Sequence, residues 1–355
     1  MPMTFGELAR RAVRRVRGKV SSRAAGREAR NVIRQIRDLK AAHPGKTLCG
    51  ILLVEHIGDI IACEPVVGWV RETIPDAFVV WVVRDVFREL VDHHPGVDAI
   101  LTVSSLALVA PVVRSAAFDV CFDLHVNRKP TGRKNLDHVK TWGDPRVDGF
   151  SYFRHGTILR AFSTAAGIVP ALSGTSRLYV PPEVVRQVDA VGLPARFVAI
   201  HTLSNDAVKN WTPEAWSRVV RYILDAWRLP VVEVGLAPTI RCRDGRFVSL
   251  CGRLSVLETA EVIRRAAFFI GVDSAGAHMA NVWRIPSLLL FGQYKGERAW
   301  TPYEGFFAEE PDRWILRHDG PLAGQSTERV IERLDRLAPV VDRVEAVRQG
   351  PPHLA

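Results

Sequence analysis

The side chains able to do chemistry fall in three short clusters, each directly after an apolar run. In the first, Glu55-His56-Ile57-Gly58-Asp59, the glycine permits a tight turn. Asp59 there either caps the helix that follows or serves as a base at a strand end. In the second, His201-Thr202-Leu203-Ser204-Asn205 runs on to Lys209-Asn210-Trp211-Thr212-Pro213, gathering hydroxyls and an ammonium at a helix start. That combination suits a diphosphate, because helix amides and lysine both favour negative charge. Thr212 before Pro213 is also an ordinary N-cap. In the third, Gly271-Val272-Asp273-Ser274-Ala275-Gly276-Ala277-His278, small residues let free backbone amides hold an anion. Asp273 is suited to accept hydrogen bonds from sugar hydroxyls, and His278 is either a ligand-facing or a core histidine. No GxGxxG follows either first strand and no GxxxxGK[ST] occurs, which argues against a nicotinamide enzyme and a P-loop kinase.

Chemistry at strand ends requires a scaffold that aligns them. From Thr47 the pattern predicts strands at Leu48–Val54, Phe78–Val83, Ala99–Val103 and Phe118–Leu124. A helix is expected from Asp59 to about Glu72, with others around Phe87–Val91, Leu106–Arg114 and Ile158–Gly167. A second unit repeats the rhythm, with strands at Phe197–His201, Val231–Gly235, Phe247–Leu250, Phe268–Val272 and Ser287–Phe291. Its helices are expected at Pro213–Trp227, Val256–Ala266 and Ala277–Trp283, before a terminal helix near Thr327–Arg348. Continuous apolar strands separated by helices imply parallel sheets covered on both faces. The expectation is an α/β protein of two Rossmann-like, doubly wound domains facing a cleft, with ligands at the carboxyl ends of the strands. The boundaries are a basic helical arm over 1–40, domains over 41–175 and 176–325, and a helix and tail over 326–355.

The polar segment from Asn127 to Tyr152 interrupts the rhythm and carries Arg128, Lys129, Arg133, Lys134 and Lys140 with Trp142. Loops of this length usually serve a function or are disordered. Its arginines suit a phosphorylated or carboxylated glycan, or simply form a solvated loop. Trp142, Tyr152 and Phe153 either stack on sugar faces or fill a core.

The net charge of +10 is not spread over the chain. Residues 1–40 hold 12 Lys/Arg against 3 Asp/Glu, and the other 315 hold 36 against 35. In the arm, Phe5, Ala9, Ala12 and Val16 form one helical stripe beside a dense cationic face, followed by Val32, Ile33, Ile36 and Leu39. This is the pattern of a helix lying on an anionic membrane surface, or of one packed on its own domain. A neutral body and arginines without interleaved aromatics argue against nucleic acid as a partner. No apolar run is long enough to span a membrane. Five scattered cysteines without a CxxC pair fit a reducing cytoplasm rather than a disulfide framework or zinc site, with Cys49, Cys63 and Cys121 read as buried hydrophobes.

Taken together, Gly58-Asp59, His201 with Lys209 to Pro213, and Asp273 to His278 resemble the motifs of the heptosyltransferase family, the family 9 glycosyltransferases of GT-B fold. The order and spacing hold from about residue 48 to 305. The resemblance implies inverting, metal-independent sugar transfer from a nucleotide diphosphate donor, by default ADP-heptose, to a glycan or lipid-linked acceptor of bacterial surface polysaccharide. No cofactor is implied. On this resemblance Asp59 is the general base, and Gly58, Arg128, Lys129, Arg133 and Lys134 meet the acceptor. His201, Thr202, Ser204, Lys209, Leu254, Asp273, the Ser274–Ala277 amides and His278 meet the donor. The chain departs from the family pattern in three places. The signature glycine is displaced by one, Thr212 stands between Trp211 and Pro213, and no acidic residue follows Gly235 in Leu-Ala-Pro-Thr-Ile. The alternatives are an epimerase-like nucleotide-sugar enzyme of the same fold, or a non-catalytic nucleotide-sugar binder. The expected location is the cytoplasm, with the arm at the inner face of the membrane.

Overall fold

The computed structural model describes residues 22–128, 138–294, 297 and 299–348. The chain forms two compact units, one ending at Tyr179 and taking back Trp300–Gly305, the other running Val180–Ala299 and resuming at Phe306.

In the N-terminal unit, four strands form a wholly parallel sheet in the order β3-β2-β1-β4. They are β1 (Thr47–Leu52), β2 (Ala77–Arg84), β3 (Ala99–Val103) and β4 (Val120–Asp123). The expected helix after Asp59 is two: Ile57–Ala62 and Pro65–Thr73, because Pro65 lacks the N–H that would continue the first and instead opens the second.

Within the expected arm, Ser22–Ala42 is one helix that packs on this unit. Ala29, Val32 and Ile36 are buried with Leu48, Val80, Val103 and Val109, so the apolar stripe faces protein. Each fully buried Val or Ile of this kind contributes about 1.5–3 kcal/mol. Glu28 secures the helix by accepting hydrogen bonds from the Ser104 amide (2.7 Å) and hydroxyl (2.6 Å). Residues 1–21 lie outside the described residues.

In the C-terminal unit, six parallel strands take the order β10-β9-β8-β5-β6-β7. They are β5 (Val198–His201), β6 (Val231–Glu233), β7 (Phe247–Ser249), β8 (Phe268–Val272), β9 (Ser287–Phe291) and β10 (Ile315–Arg317). The central β8 and β9 are buried at every position, which is why they read as unbroken apolar runs. Two elements escape the sequence pattern. Strand β10 is only three residues long, and the helix Pro182–Asp189 buries just Val184 and Val188 in a polar stretch. The terminal helix Thr327–Arg348 belongs to this unit. Of the cysteines expected to be buried, Cys121 is only partly so.

Candidate functional site

At the carboxyl edge of the C-terminal sheet, β5 ends on His201 and β8 leads through Asp273 and Ser274 into the helix Ala275–Val282. The Ser274 hydroxyl lies 2.8 Å from His201 Nδ1 and 3.2 Å from the Val272 carbonyl. Because that hydroxyl is drawn toward β5, it does not cap its own helix. The Ala277 amide donates to the Ser274 carbonyl (3.1 Å), whereas the Ala275 and Gly276 amides find no protein acceptor among the described residues. A helix start with unsatisfied amides favours an anion. A Cβ at 276 would lie 3.1 Å from His201 Cβ and Cγ, so any larger residue there crowds the histidine.

Lys209 ends the short turn Ala207–Lys209, whose N-cap Asp206 accepts from the Val208 amide at 3.3 Å. Its ammonium donates to Asp273 Oδ2 at 2.5 Å and stands 4.1 Å from the centre of the Tyr294 ring. Asn210 cinches the same loop, accepting from the Ser204 amide (2.6 Å) and donating to the Ser204 carbonyl (3.2 Å). Thr212 does cap Pro213–Tyr222, accepting from the Ala215 amide. Lys209–Asp273 and Ser274–His201 are therefore two hydrogen-bonded pairs, joined by the Asp273–Ser274 peptide bond. Thr202 belongs to a different contact. It is buried, with its hydroxyl 2.7 Å from that of Thr239, which in turn donates to the buried Glu233 (3.0 Å). Glu233 also accepts from the Thr239 amide (2.9 Å) and Ser249 hydroxyl (2.8 Å), so it shapes the 235–240 loop from within β6. Leu254 and Ala277 are buried as well.

Burial holds His278 and His201 as neutral imidazoles at physiological pH, pushing each down to about 4; for His278, Asp273 opposes the shift and Lys209 adds to it. The unfolded chain binds these protons below about 6.5, while the folded one resists them until about 4. Stability is thus complete above pH 6.5 and is lost as pH falls toward 4, by on the order of 3 kcal/mol for His278. Urea unfolding across that window checks this, and His278→Gln flattens the slope.

In the N-terminal unit, β1 leads through Val54 and Glu55 into the helix Ile57–Ala62, with Asp59 in its first turn. Asp59 Oδ2 accepts from the His56 amide at 3.3 Å, so the capping role is real. Gly58 stands beside it. Glu55 is buried between Arg84 (3.1 Å) and Arg128 (3.4 Å). Burial raises its carboxyl, but His56, Arg128, Arg84 and His125 outweigh that and hold it below the ordinary value. Arg128, expected at the acceptor, is therefore paired with Glu55. Lys129, Arg133 and Lys134 lie outside the described residues.

Sequence reasoning missed a buried polar network at the end of β4. Asp123 accepts from His125 Nδ1 (2.7 Å), His138 Nε2 (2.8 Å) and Trp142 Nε1 (2.8 Å). Lys140 donates to the carbonyls of Asp123, His125 and Ala165, each at 2.8 Å. Burial raises the Asp123 carboxyl, yet the two histidines and Lys140 hold it well below the ordinary value. Asp123, His125 and His138 are close enough to hold a cation. Every carboxylate oxygen already accepts a hydrogen bond, however, and the Lys140 ammonium 3.7 Å from Oδ2 supplies the positive charge. The one sequence signal was Asp123 and His125 alternating with apolar neighbours at a strand end.

Two wholly parallel sheets in one chain fit the GT-B fold. The family model for glycosyltransferase family 9 (heptosyltransferase) matches residues 181–305. Lipopolysaccharide heptosyltransferase 3 of Escherichia coli K12 is 22% identical over 339 residues, covering 81% of this chain and 96% of that protein. Among solved structures, a family 9 glycosyltransferase from Veillonella parvula superposes with a TM-score of 0.61 at 15% identity, covering 83% of this chain and 97% of the other. The ADP-heptose lipopolysaccharide heptosyltransferase II of E. coli gives 0.60 at 14% identity, covering 83% and 99%. Residues 181–305 thus match family 9, the heptosyltransferases, and most of the chain is similar to known heptosyltransferases, which are glycosyltransferases.

Proposed function

We propose that this chain transfers a sugar, by default heptose from ADP-heptose, onto a glycan or lipid-linked acceptor in lipopolysaccharide biosynthesis. The observation that carries the reading is the uncapped start of the helix Ala275–Val282, with Lys209 and Asp273 linked beside it. Phosphates of the donor lie against the Ala275 and Gly276 amides and Lys209, and Asp273 accepts from donor-sugar hydroxyls. Ser204 and the Leu254 backbone complete the donor contacts. The acceptor hydroxyl gives its proton to Asp59 as its oxygen attacks the anomeric carbon. The bond from that carbon to the diphosphate breaks on the opposite face, so the configuration inverts. Charge growing on the leaving diphosphate is met by Lys209 and the helix amides, which supports a metal-independent reaction. Gly58, Arg128 and the loop cations Lys129, Arg133 and Lys134 serve the acceptor.

A thermal-shift panel of ADP, UDP, GDP, CDP and ADP-heptose tests the donor reading. A ligand present at 100 times its Kd stabilises the folded chain by about 2.7 kcal/mol. ADP and ADP-heptose are expected to raise the Tm; a panel without any response contradicts the donor site.

The same reading puts the enzyme at the inner membrane face, where a lipid-linked acceptor resides. The apolar stripe of Ser22–Ala42 is spent on its own unit, but Arg27, Arg30, Arg34 and Arg37 are exposed along one face of that helix. Contact there is electrostatic, so it weakens with salt. The full chain is expected to sediment with vesicles containing phosphatidylglycerol at low salt and to stay in solution at high salt. Reversing the four arginines to glutamate abolishes the effect. Tighter binding to duplex DNA than to those vesicles contradicts this placement.

A further inference from the structure

The buried network at the end of β4 has no part in the donor or base chemistry described above, yet it reaches the turn that carries Asp59. We propose that His125 is a positioning residue for that turn, joining the Val54 amide to Asp123 and through Asp123 to the polar loop 127–152. The inference rests on the reading of Asp59 as the base.

The geometry fixes the direction of each bond. Strand β1 ends at Leu52, level with Asp123 of β4, and the next rung is the Leu124 amide donating to the Leu52 carbonyl (3.1 Å). Beyond it the Val54 amide donates to His125 Nε2 at 3.0 Å, so the imidazole replaces a carbonyl of the ladder. A ring nitrogen that accepts carries no proton, so the proton of the neutral ring sits on Nδ1, which donates to Asp123 Oδ1. The other carboxylate oxygen accepts from His138 and Trp142, both from the polar loop. Three hydrogen bonds in series therefore join that loop to the backbone amide of Val54. Glu55 and His56 follow directly, and the His56 amide holds Asp59.

The groups facing His125 are Asp123 and Lys140, with His138 at a ring-centre distance of 5.4 Å. All are buried, and both ring nitrogens of His125 are engaged, one by Asp123 and the other by the Val54 amide. Apolar side chains of similar volume usually stabilise a core at least as well as a buried ion pair. A fully satisfied polar network holds one geometry, and here that geometry is the approach of the base turn. Misplacing a reacting group by about 1 Å costs on the order of 100-fold in rate.

The test compares full-length wild type, His125→Leu, His125→Gln, Trp142→Phe and Asp59→Asn, with ADP-heptose as donor and a lipopolysaccharide core oligosaccharide as acceptor. Both kcat and donor KM are measured, with the Tm of each variant. Leucine fills the space without either bond, and glutamine retains an acceptor for Val54. The expectation for His125→Leu is a kcat lower by about 10- to 100-fold with donor KM within about twofold, and substantial recovery in His125→Gln. Where His125→Leu does not fold, His125→Gln and Trp142→Phe carry the test. The latter removes one donor to Asp123, and a lowered kcat at unchanged KM is expected. Folded His125→Leu or Trp142→Phe at wild-type kcat, beside an inactive Asp59→Asn, overturns this inference alone. So does a folded His125→Gln as slow as His125→Leu. Full activity in Asp59→Asn removes the base and this inference with it.

Discussion

Asp59→Asn lowers kcat by about 100- to 10,000-fold while donor affinity stays within about twofold. The asparagine keeps an oxygen able to accept from the His56 amide, which Asp59 now does at 3.3 Å, so the helix Ile57–Ala62 retains its first-turn support. Only the basicity is removed. Asp59→Ala is expected to show the same kinetic loss plus about 1 kcal/mol of destabilisation from the missing cap. The pair separates base from cap: steady-state kinetics read the first and thermal unfolding the second. Wild-type turnover in Asp59→Asn would leave this residue as a cap and nothing more.

The second large effect falls on Lys209. Lys209→Ala is expected to lower kcat/KM by about 100- to 1,000-fold and to weaken ADP binding, read by calorimetry. Two losses coincide. The diphosphate forfeits the Lys209 ammonium, and Asp273, largely buried, loses the partner that stands 2.5 Å away. An unpaired buried carboxylate beside the phosphate site repels the ligand it should help to hold. Lys209→Ala/Asp273→Asn should therefore bind ADP more tightly than Lys209→Ala alone. Lys209→Arg restores the charge, but its planar fork must share the face of Tyr294, and partial recovery is the expected result. ADP affinity unchanged in Lys209→Ala contradicts the assignment of this lysine to the diphosphate.

Much of the architecture was legible because parallel strands buried on both faces leave no polar alternation to misread. Ala99–Val103, Phe268–Val272 and Ser287–Phe291 match their observed bounds, as does the terminal helix Thr327–Arg348. Elements that bury little were hidden: β10 and Pro182–Asp189 offer too few apolar positions to set a period. Asp273, Ser274 and His201 were singled out by type at the ends of legible strands and Lys209 in the loop before a legible helix, and the fold pairs Lys209 with Asp273 and Ser274 with His201. The network of Asp123, His125, His138, Lys140 and Trp142 escaped detection for the opposite reason. Its members span a loop whose polarity and glycines resemble those of solvated segments, and only the folded chain shows that Lys140 is buried. Arg128 illustrates the same limit. Its type suggested an acceptor contact, and that it also pairs with Glu55 could be found only in three dimensions.

The central claim is sugar transfer from a nucleoside diphosphate donor with Asp59 as base and no metal required. Its most direct test is one incubation of the full-length chain with ADP-heptose and a lipopolysaccharide core oligosaccharide, run with and without EDTA and followed by NMR of the product. The account predicts one ADP released per glycan extended, a new linkage of configuration opposite to that of the donor, and the same rate in EDTA. ADP release without extension of the acceptor, retention of configuration, or turnover abolished by EDTA contradicts it.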